Sequence, residues 1–490
     1  MSWGSGKGLA GLAGAGLTAM AASTAVVGGS VPMTTFSEHV APIVFKNCSS
    51  CHRPGEAAPF SFLTYDDVRK RGRLIVSVIE DRFMPPWHAE TGPLEFLGER
   101  RLSEEEIQTI STWVESGMAL GDPKAMPPVP DFPVGWQLGE PDLIVRMDEA
   151  FEVPAEGPDI YRHFVLPLDL PEDKWVTAIE FRPGARSVVH HCLFFTDTTG
   201  RARKADAATP LPGFTRMGSA LRGSGRLGGW AVGGNPRLLP EGLAQRLPKG
   251  ADLVLQTHFH PSGKVEKEQS TVGLYFTEKA PKQSFAGVQL PPSFGALSGL
   301  DIPAGEANHA LTDSFVLPVD VKAFAVSAHA HYLGKDMVMT ATWPDGETRE
   351  LLSIPEWDFS WQEQYTYKEM VSLPKGTRLN VTIHYDNSEE NPNNPSDPPV
   401  RVRWGRESTD EMGSMTLRVI AENPSEMPIL RKALKDHSRD VVRGRISDRI
   451  SSKGGRDLGR RWLLQRLDRD GDGELSDEER AAGLRRLGGR

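Results

Sequence analysis

Cysteine is scarce in this chain, with three residues among 490. A disulfide-stapled secreted scaffold needs a far higher cysteine content, so that class of protein is excluded. An excess of basic residues is also missing, because 56 Lys and Arg stand against 65 Asp and Glu, for a net charge of −9. Without a basic stripe, no nucleic-acid partner is expected.

Long apolar runs are missing except near the N-terminus. Residues 9–27 carry no charge, consist largely of Ala, Gly, Leu and Val, and contain the small-residue pattern Ala19-Met20-Ala21. This pattern predicts that residues 1–32 are a signal peptide, with an uncleaved N-terminal membrane anchor as the alternative. The protein is therefore expected to be periplasmic or secreted.

Two of the three cysteines lie in the motif Cys48-Ser49-Ser50-Cys51-His52. This spacing matches the attachment signature of a c-type haem, in which each thiol adds to one vinyl group and the histidine ligates the iron. A structural zinc site is the alternative, but it needs about four protein ligands. The remaining cysteine, Cys192, lies far along the chain. Covalent haem attachment requires export in bacteria, which agrees with the predicted signal.

Residues 33–122 have mostly helical spacing around this motif. Ser103 precedes three glutamates in the manner of a helix N-cap with acids in the first turn. We therefore predict a small all-α cytochrome c-like domain. Met84, on a proline-rich loop, is the predicted distal haem ligand, because a thioether suits electron transfer. His88 is its competitor, and an iron without a sixth protein ligand is the third possibility.

The centre of the chain has a different texture. Residues 123–140 are rich in proline and predict a linker. Short β-rich runs separated by Pro, Gly, Asn and Asp turns then predict antiparallel β-sandwiches rather than βαβ units. The length suits two consecutive sandwiches, at residues 141–285 and 286–425.

The tail, residues 426–490, is predicted to be helical and contains an EF-hand loop at residues 468–479. The loop places oxygen ligands and a central glycine at the positions that Ca²⁺ binding requires. The predicted calcium ligands are Asp468, Asp470, Asp472, Glu474, Ser476 and Glu479. An acidic surface loop is the alternative. Because EF-hands usually work in pairs and the sequence shows one, this site is expected to bind weakly or to pair between molecules.

Histidines are concentrated in otherwise hydrophobic strands of the central region. His329 and His331 are two residues apart, so on a strand they face the same side. His190 and His191 diverge on an ideal strand, so sharing a metal requires a bulge or a strand end there. Any one of these histidines alone is more often a core or surface residue. Burying several imidazoles is costly without partners, and a shared Cu or Zn ion supplies them.

The order of these motifs resembles that of the type II, ascorbate-dependent copper monooxygenases, which include the peptidylglycine-hydroxylating and dopamine-hydroxylating enzymes. The resemblance covers roughly residues 139–422. It rests on His190-His191, Leu255-Gln256-Thr257-His258, His329-Ala330-His331-Tyr332-Leu333-Gly334-Lys335 and Thr409-Asp410-Glu411-Met412. It implies two consecutive jelly-roll-like sandwiches, each with one copper ion, that face each other across a wet cleft.

The resemblance also implies a division of roles. The electron-donating copper would be held by His190, His191 and His258. The oxygen-activating, catalytic copper would be held by His329, His331 and Met412. A thioether stabilises the cuprous state that meets O₂, which agrees with this division.

Met415 is the rival sulfur ligand, but it lies outside the motif and is interpreted as core filler. Cys192 is interpreted as a small buried residue, with an extra sulfur near copper as the alternative. The remaining central histidines are expected to have structural or ligand-orienting roles. These are His163, His260, His309 and His384.

The sequence departs from the family in two respects. Animal members are rich in disulfides, and three cysteines cannot supply them. In peptide-hydroxylating members an arginine two residues before the His-x-His pair holds the substrate carboxylate, whereas this chain has Ser327 there. A glycine-extended peptide substrate is therefore not expected.

These features together predict a copper monooxygenase that hydroxylates an activated C–H bond of a small organic substrate with O₂. Electrons would come through the haem from an external donor, either ascorbate or a redox protein. The alternative is a non-hydroxylating periplasmic electron-transfer protein that binds copper. A third interpretation makes the calcium-binding tail the central feature of a scaffold.

Overall fold

A computed structural model of the protein describes residues 33–54, 56, 58–132, 135–215, 225–231 and 234–451. The predicted signal or anchor at residues 1–32 and the predicted EF-hand loop at residues 468–479 lie outside the described residues.

Six α-helices lie within the described part of the chain. They are α1 (Ala41–Asn47), α2 (Tyr65–Arg69), α3 (Gly72–Glu80), α4 (Glu104–Glu115), α5 (Arg201–Asp206) and α6 (Met427–Ser451). None of the described helices has the length and apolar character needed to cross a membrane.

Twenty β-strands fill the centre of the described chain. The first ten are β1 (Leu143–Arg146), β2 (Phe151–Val153), β3 (Ile160–Pro167), β4 (Lys174–Arg182), β5 (Val189–Asp197), β6 (Gly225–Ala231), β7 (Gln245–Leu247), β8 (Asp252–Phe259), β9 (Glu266–Glu268) and β10 (Thr271–Thr277). The second ten are β11 (Phe285–Leu290), β12 (Asp301–Ile302), β13 (His309–Val316), β14 (Val321–Ala330), β15 (Gly334–Thr342), β16 (Thr348–Ile354), β17 (Gln364–Leu373), β18 (Arg378–Tyr385), β19 (Val402–Arg403) and β20 (Gly413–Ala421).

The helical unit is built from α1 to α4. Helix α4 begins at a capping box, in which the Ser103 hydroxyl accepts from the Glu106 N–H and the Glu106 carboxylate accepts from the Ser103 N–H. Its apolar face buries Ile110 and Trp113 against Phe36, and all three residues belong to one core cluster. This core supports the end of α1, where the Cys-x-x-Cys-His motif begins.

Residues 85–101, the docking segment, leave this helical core and pack on the second sandwich. Trp87 and Phe96 belong to the hydrophobic core of that sandwich. The segment also adds backbone hydrogen bonds, from Glu90 N–H to the Ser353 carbonyl (2.8 Å) and from Leu97 N–H to the Thr366 carbonyl (2.8 Å). The helical unit is thereby joined to the second sandwich by a shared core.

Replacing Phe96 by alanine is expected to destabilise this junction. Phe96 is 5% exposed and stacks on Tyr367 with ring centroids 5.2 Å apart. Truncating a buried Phe costs about 3–5 kcal/mol. Because a multidomain chain does not unfold in one step, the midpoint of urea denaturation is the measure, and it is expected to fall. Phe83, 51% exposed, is the matched control, and Phe83→Ala is expected to leave the midpoint in place. Equal midpoints for both variants would contradict the shared core.

The strands form two successive β-sandwiches of antiparallel sheets. In the first, the sheet β1-β10-β4-β7 faces the sheet β3-β8-β5-β6 across a common core. In the second, β11-β20-β14-β17 faces β13-β18-β15-β16 in the same way. The mainly β architecture predicted for the centre of the chain is confirmed. Alternation of apolar and polar residues drives this arrangement, since residues two apart share one face of each strand.

An apolar cluster joins the two sandwiches. Leu243 of the first sandwich packs with Phe324, Ala325 and Ile420 of the second. A polar contact also joins them, where the Tyr161 hydroxyl donates to the Arg406 carbonyl at 2.5 Å. The two sandwiches are therefore in direct contact.

Candidate metal centres

The first histidine cluster consists of His190, His191 and His258. In the pairing of β5 with β8, His191 lies opposite His258, and the register shifts between Val189 and His191. His190 is thus the extra residue of a bulge, which lets two consecutive side chains turn to the same side. The sequence analysis required a bulge or a strand end here if the two histidines were to share a metal.

The ring nitrogens of this cluster converge. Nδ1 of His191 lies 3.2 Å from Nδ1 of His190 and 3.4 Å from Nδ1 of His258. Ligand nitrogens about 2.0 Å from one metal ion lie about 3.3–3.5 Å apart in tetrahedral or trigonal geometry. The ligating atoms of all three residues lie within 4.8 Å of one another. The cluster therefore fits a single ion held by three Nδ1 atoms.

Contacts around His258 hold its ring in place. The ring stacks on Tyr161, with centroids 4.3 Å apart and planes 7° apart. Its Nε2 lies 3.0 Å from Oδ2 of Asp159. Burial opposes ionisation of Asp159, yet contacts from His258, Ser408 and His260 keep the pKa of this carboxyl well below its usual range. Ser408 belongs to the second sandwich, so Asp159 also ties the cluster to the neighbouring domain.

The His–Met cluster consists of His329, His331 and Met412. Strands β14 and β20 are paired, with His329 opposite Ser414 and Ala330 opposite Gly413. His331 directly follows the end of β14, and Met412 directly precedes the start of β20. The rings of His329 and His331 have centroids 5.4 Å apart, and the three side chains line one cavity.

Hydrogen bonds fix the ring orientation of both histidines. Nδ1 of His329 donates to Oε1 of Gln362 at 2.6 Å, and Nδ1 of His331 donates to the Asp410 carbonyl at 3.1 Å. Each bond places the proton on Nδ1 and leaves Nε2 as the lone-pair donor, the usual arrangement of a metal-binding histidine. The His–Met cluster therefore offers two Nε2 atoms and a thioether.

Glu411 organises the backbone around this cluster. Its Oε1 accepts from the N–H groups of His331 (2.5 Å) and Met412 (2.7 Å), and its Oε2 accepts from Leu333 N–H (3.0 Å). Burial raises the pKa of this carboxyl to about 8, against the opposing effect of the three N–H donors. One buried side chain thus holds the backbone of two candidate ligands.

Burial keeps four imidazoles of the two clusters, those of His190, His191, His329 and His331, neutral at pH 7. It lowers the pKa of His190 and of His331 to about 3 and that of His329 to about 4, and it lowers the pKa of His191 well below the usual value. Metal ligation requires the neutral imidazole, so no proton has to be displaced. The chemistry of the donor set therefore fits a metal at each cluster.

Phe359 lies between the two clusters. Its ring stacks on His190 with centroids 4.3 Å apart and meets His331 edge-on at 5.5 Å. A cavity of about 690 Å³ opens beside this contact and is lined by residues of both sandwiches. His191 contributes from one side and the His–Met cluster from the other. The two candidate centres therefore share one cavity.

The haem motif lies at the end of α1. Nδ1 of His52 is 3.2 Å from the Phe60 carbonyl, which leaves Nε2 available for iron. The ring stacks on Phe62, with centroids 4.4 Å apart. Burial, aided by the nearby Cys51 and Glu106, raises the pKa of the Cys48 thiol to about 12. The residues present thus fit an axial histidine with a fixed tautomer.

The two candidate distal ligands have different surroundings. Met84 is half-buried just after α3, and its N–H donates to the Val78 carbonyl at 2.9 Å. His88 belongs to the docking segment, where burial lowers its pKa despite the nearby Asp358 and a hydrogen bond to the Glu356 backbone. His88 is thus engaged with the second sandwich.

The other sequence candidates lie outside both clusters. Met415 is fully buried in the core of the second sandwich, and Cys192 is fully buried in the core of the first. The remaining central histidines have other partners or neighbours. His163 is 3.1 Å from the Gln256 amide, His260 pairs with Asp159, His384 pairs with Asp336, and His309 lies beside Tyr385.

Several residues of the site were not predicted from the sequence. Asp159, Phe359 and Gln362 belong to no recognisable motif, because their role depends on contacts between distant segments. Glu411 stood within the Thr-Asp-Glu-Met motif, but its role depends on strand pairing. The available signal in the sequence was an acidic residue directly before the predicted ligand Met412.

Two β-sandwiches, each with a histidine-rich cluster beside a common cavity, place this protein in the class of mainly β proteins. Residues 309–415 match the family described as "Copper type II ascorbate-dependent monooxygenase, C-terminal domain". The match runs from β13 into β20 and includes His329, His331 and Met412. That family comprises copper-dependent, oxygen-using oxidoreductases, and it implies O₂, a substrate and an electron donor. No curated protein matches the chain in sequence.

Similarity to solved structures is slight. The VP2 subviral particle of infectious bursal disease virus is 9% identical, with 58% of this chain and 74% of that chain covered and a TM-score of 0.18. The major capsid protein P2 of bacteriophage PM2 is 8% identical, with coverages of 58% and 99% and a TM-score of 0.23. The PBSX exported protein XepA is 10% identical, with coverages of 51% and 88% and a TM-score of 0.15. TM-scores this low support no conclusion about the fold or the function of this chain.

Proposed function

We propose that this protein is a copper-dependent monooxygenase that hydroxylates an activated C–H bond of a small organic substrate. The observation that carries the proposal is that His329, His331 and Met412 line one cavity at the adjoining ends of β14 and β20, within the region that matches the monooxygenase family. Two imidazoles and a thioether favour copper, and the sulfur favours its cuprous state.

The residues of the chain supply positioning. Copper at the His–Met cluster would provide the chemistry of O₂ reduction, and copper at the first histidine cluster would provide a second electron. Gln362 and the Asp410 carbonyl keep both Nε2 atoms available, and Glu411 fixes the backbone that carries His331 and Met412. The overall reaction takes one C–H bond, one O₂, two electrons and two protons, and gives one alcohol and one water.

Oxygen incorporation tests this function directly. The copper-loaded protein, supplied with ascorbate and a panel of small organic candidates, is expected to consume O₂ and to transfer one oxygen-18 atom from labelled O₂ into a product seen by mass spectrometry. Loss of the labelled product in His329→Ala, which lacks one proposed copper ligand, would support the assignment. Uptake of O₂ without a labelled product from the whole panel would instead favour a copper-binding electron-transfer protein.

We further propose that Cys48, Cys51 and His52 carry a c-type haem, with Met84 as its distal ligand, and that this haem passes electrons to the copper centres. The hydrogen bond of His52 to the Phe60 carbonyl, which leaves Nε2 for iron, and the half-buried position of Met84 just after α3 support this assignment. Export through residues 1–32 and a Ca²⁺ site at residues 468–479 remain proposals on sequence grounds.

The haem assignment predicts a clear difference between cysteine variants. Protein exported from a host that attaches c-type haem is expected to retain its haem after extraction with acidified acetone, because thioether bonds survive that treatment. The double variant Cys48→Ala/Cys51→Ala is expected to lose it. Cys192→Ala, which removes the third cysteine from the core of the first sandwich, is the control and is expected to keep the covalent haem. Extractable haem, or none, in the unaltered protein would refute the assignment.

A further inference from the structure

The charge on the wall of the shared cavity is unbalanced. Four arginines line it, namely Arg226, Arg237, Arg406 and Arg418, against a single carboxylate, Glu363. Glu363 is already engaged, because Arg100 donates to both of its oxygens and Arg237 lies 3.6 Å away. Among the residues that the structure describes, neither Arg226 nor Arg418 forms an ion pair with a carboxylate. The cavity is therefore cationic.

Arg418 lies on the same sheet face as His329. In the pairing of β14 with β20, Arg418 stands opposite Ala325, Thr416 opposite Ser327, and Ser414 opposite His329. Residues at alternate positions share a face, so Arg418 and His329 both face the cavity. Four residues along a strand correspond to about 13 Å, the length of a small organic molecule with its binding contacts.

Arg226 approaches from the first sandwich. It lies on β6, and its guanidinium sits 5.6 Å from the centre of the Phe294 ring, which in turn contacts His329 edge-on with centroids 5.2 Å apart. Nη2 of Arg418 reaches to 4.0 Å from the position of a Cβ on Gly228, two residues further along β6. The two guanidinium groups thus meet at the same strand from opposite sandwiches.

We propose that Arg226 and Arg418 bind an oxyanion group of the substrate, a carboxylate in the simplest case, and so orient its C–H bond towards the His–Met cluster. The inference rests on the proposed function and adds to it the substrate class, organic anions. Arginine binds planar oxyanions through paired N–H donors, which suits a carboxylate held between two guanidinium groups.

Two further observations agree with this assignment. Burial, reinforced by the charge of Arg226, lowers the pKa of Arg418 to about 10, and a bound anion would relieve both effects. The cavity wall also offers Trp230, Phe294 and Trp404 as apolar surface for the body of a ligand.

Binding of matched probes tests the inference. Phenylacetate, benzoate and benzenesulfonate are each compared with their neutral amide by calorimetry on the full-length, copper-free protein. At least one anion is expected to bind about tenfold more tightly than its amide, since charged hydrogen bonds supply the difference. Arg418→Gln and Arg226→Gln are expected to remove this preference, and Arg418→Lys to retain part of it.

Controls separate the site from the fold and from the copper chemistry. Arg349→Gln, which alters an exposed arginine paired with Glu347, is expected to leave the preference unchanged. Unchanged amide binding in Arg418→Gln would show that the cavity is intact. Equal binding of all anions and amides, no binding of any anion, or an unchanged preference in both glutamine variants would overturn the inference. Failure to load copper would refute the proposed function alone, because the probes bind without metal.

Discussion

Replacing Glu411 by alanine is expected to abolish copper binding at the His–Met cluster while the first histidine cluster keeps its ion. Glu411 is fully buried, and its carboxylate accepts the backbone N–H groups of His331, Met412 and Leu333. Removing the acceptor leaves three buried donors unpaired, at a cost of about 1–3 kcal/mol each. The backbone at the strand ends must then shift so that these N–H groups can bond to water. That backbone carries His331 and Met412, two of the three candidate ligands.

The expected loss in affinity at this centre is at least 10- to 100-fold, the range seen when groups that orient metal ligands are removed. Glu411→Gln keeps one acceptor oxygen and is expected to fall between alanine and the unaltered protein. Glu422→Ala removes a surface carboxylate that pairs with Lys322 and serves as the control. Copper content after dialysis measures the outcome. A full copper complement in Glu411→Ala would mean that the carboxylate does not position these ligands.

Replacing His191 by alanine is expected to empty the first histidine cluster. His191 is its central residue, since its Nδ1 lies 3.2 Å and 3.4 Å from the corresponding atoms of His190 and His258. Two imidazoles that remain on different strands cannot complete a three-nitrogen site. Copper content is expected to fall from about two ions to about one per chain, and hydroxylation to stop for want of the second electron.

His260→Ala is the matched control for this change. His260 lies two residues from His258 and shares Asp159 with it, but its side chain is 63% exposed and its ring is outside the cluster. This variant is expected to retain both ions. If His191→Ala also retained two ions, the first cluster would be a group of packed histidines rather than a copper site.

Sequence patterns predicted those parts of the site that depend on local spacing. The alternation of a strand places His329 and His331 on one face, and the bulge needed to bring His190 beside His191 occurs in β5. Met412 was predicted as a ligand from a family resemblance alone, because the residue pattern around it does not otherwise distinguish it from Met415. The structure makes the distinction, since Met415 is buried in the core of the second sandwich and Met412 lines the cavity together with His329 and His331.

Other parts depended on contacts that no local pattern encodes. The docking segment combines prolines with apolar residues and has no helical or strand period, so its insertion of Trp87 and Phe96 into the second sandwich could not be predicted. The same holds for Arg226 and Arg418. Each is an ordinary strand residue in sequence, and only the apposition of two sandwiches brings the two cations to one cavity.

The central claim is that two separate clusters bind copper and that one of them includes sulfur. X-ray absorption of the protein titrated with Cu(I) tests it most directly. We expect saturation at about two ions per chain, a sulfur scatterer at one of them, and loss of that scatterer in Met412→Ile but not in Met415→Ile. Saturation at a single ion, or a spectrum without sulfur in the unaltered protein, would contradict it.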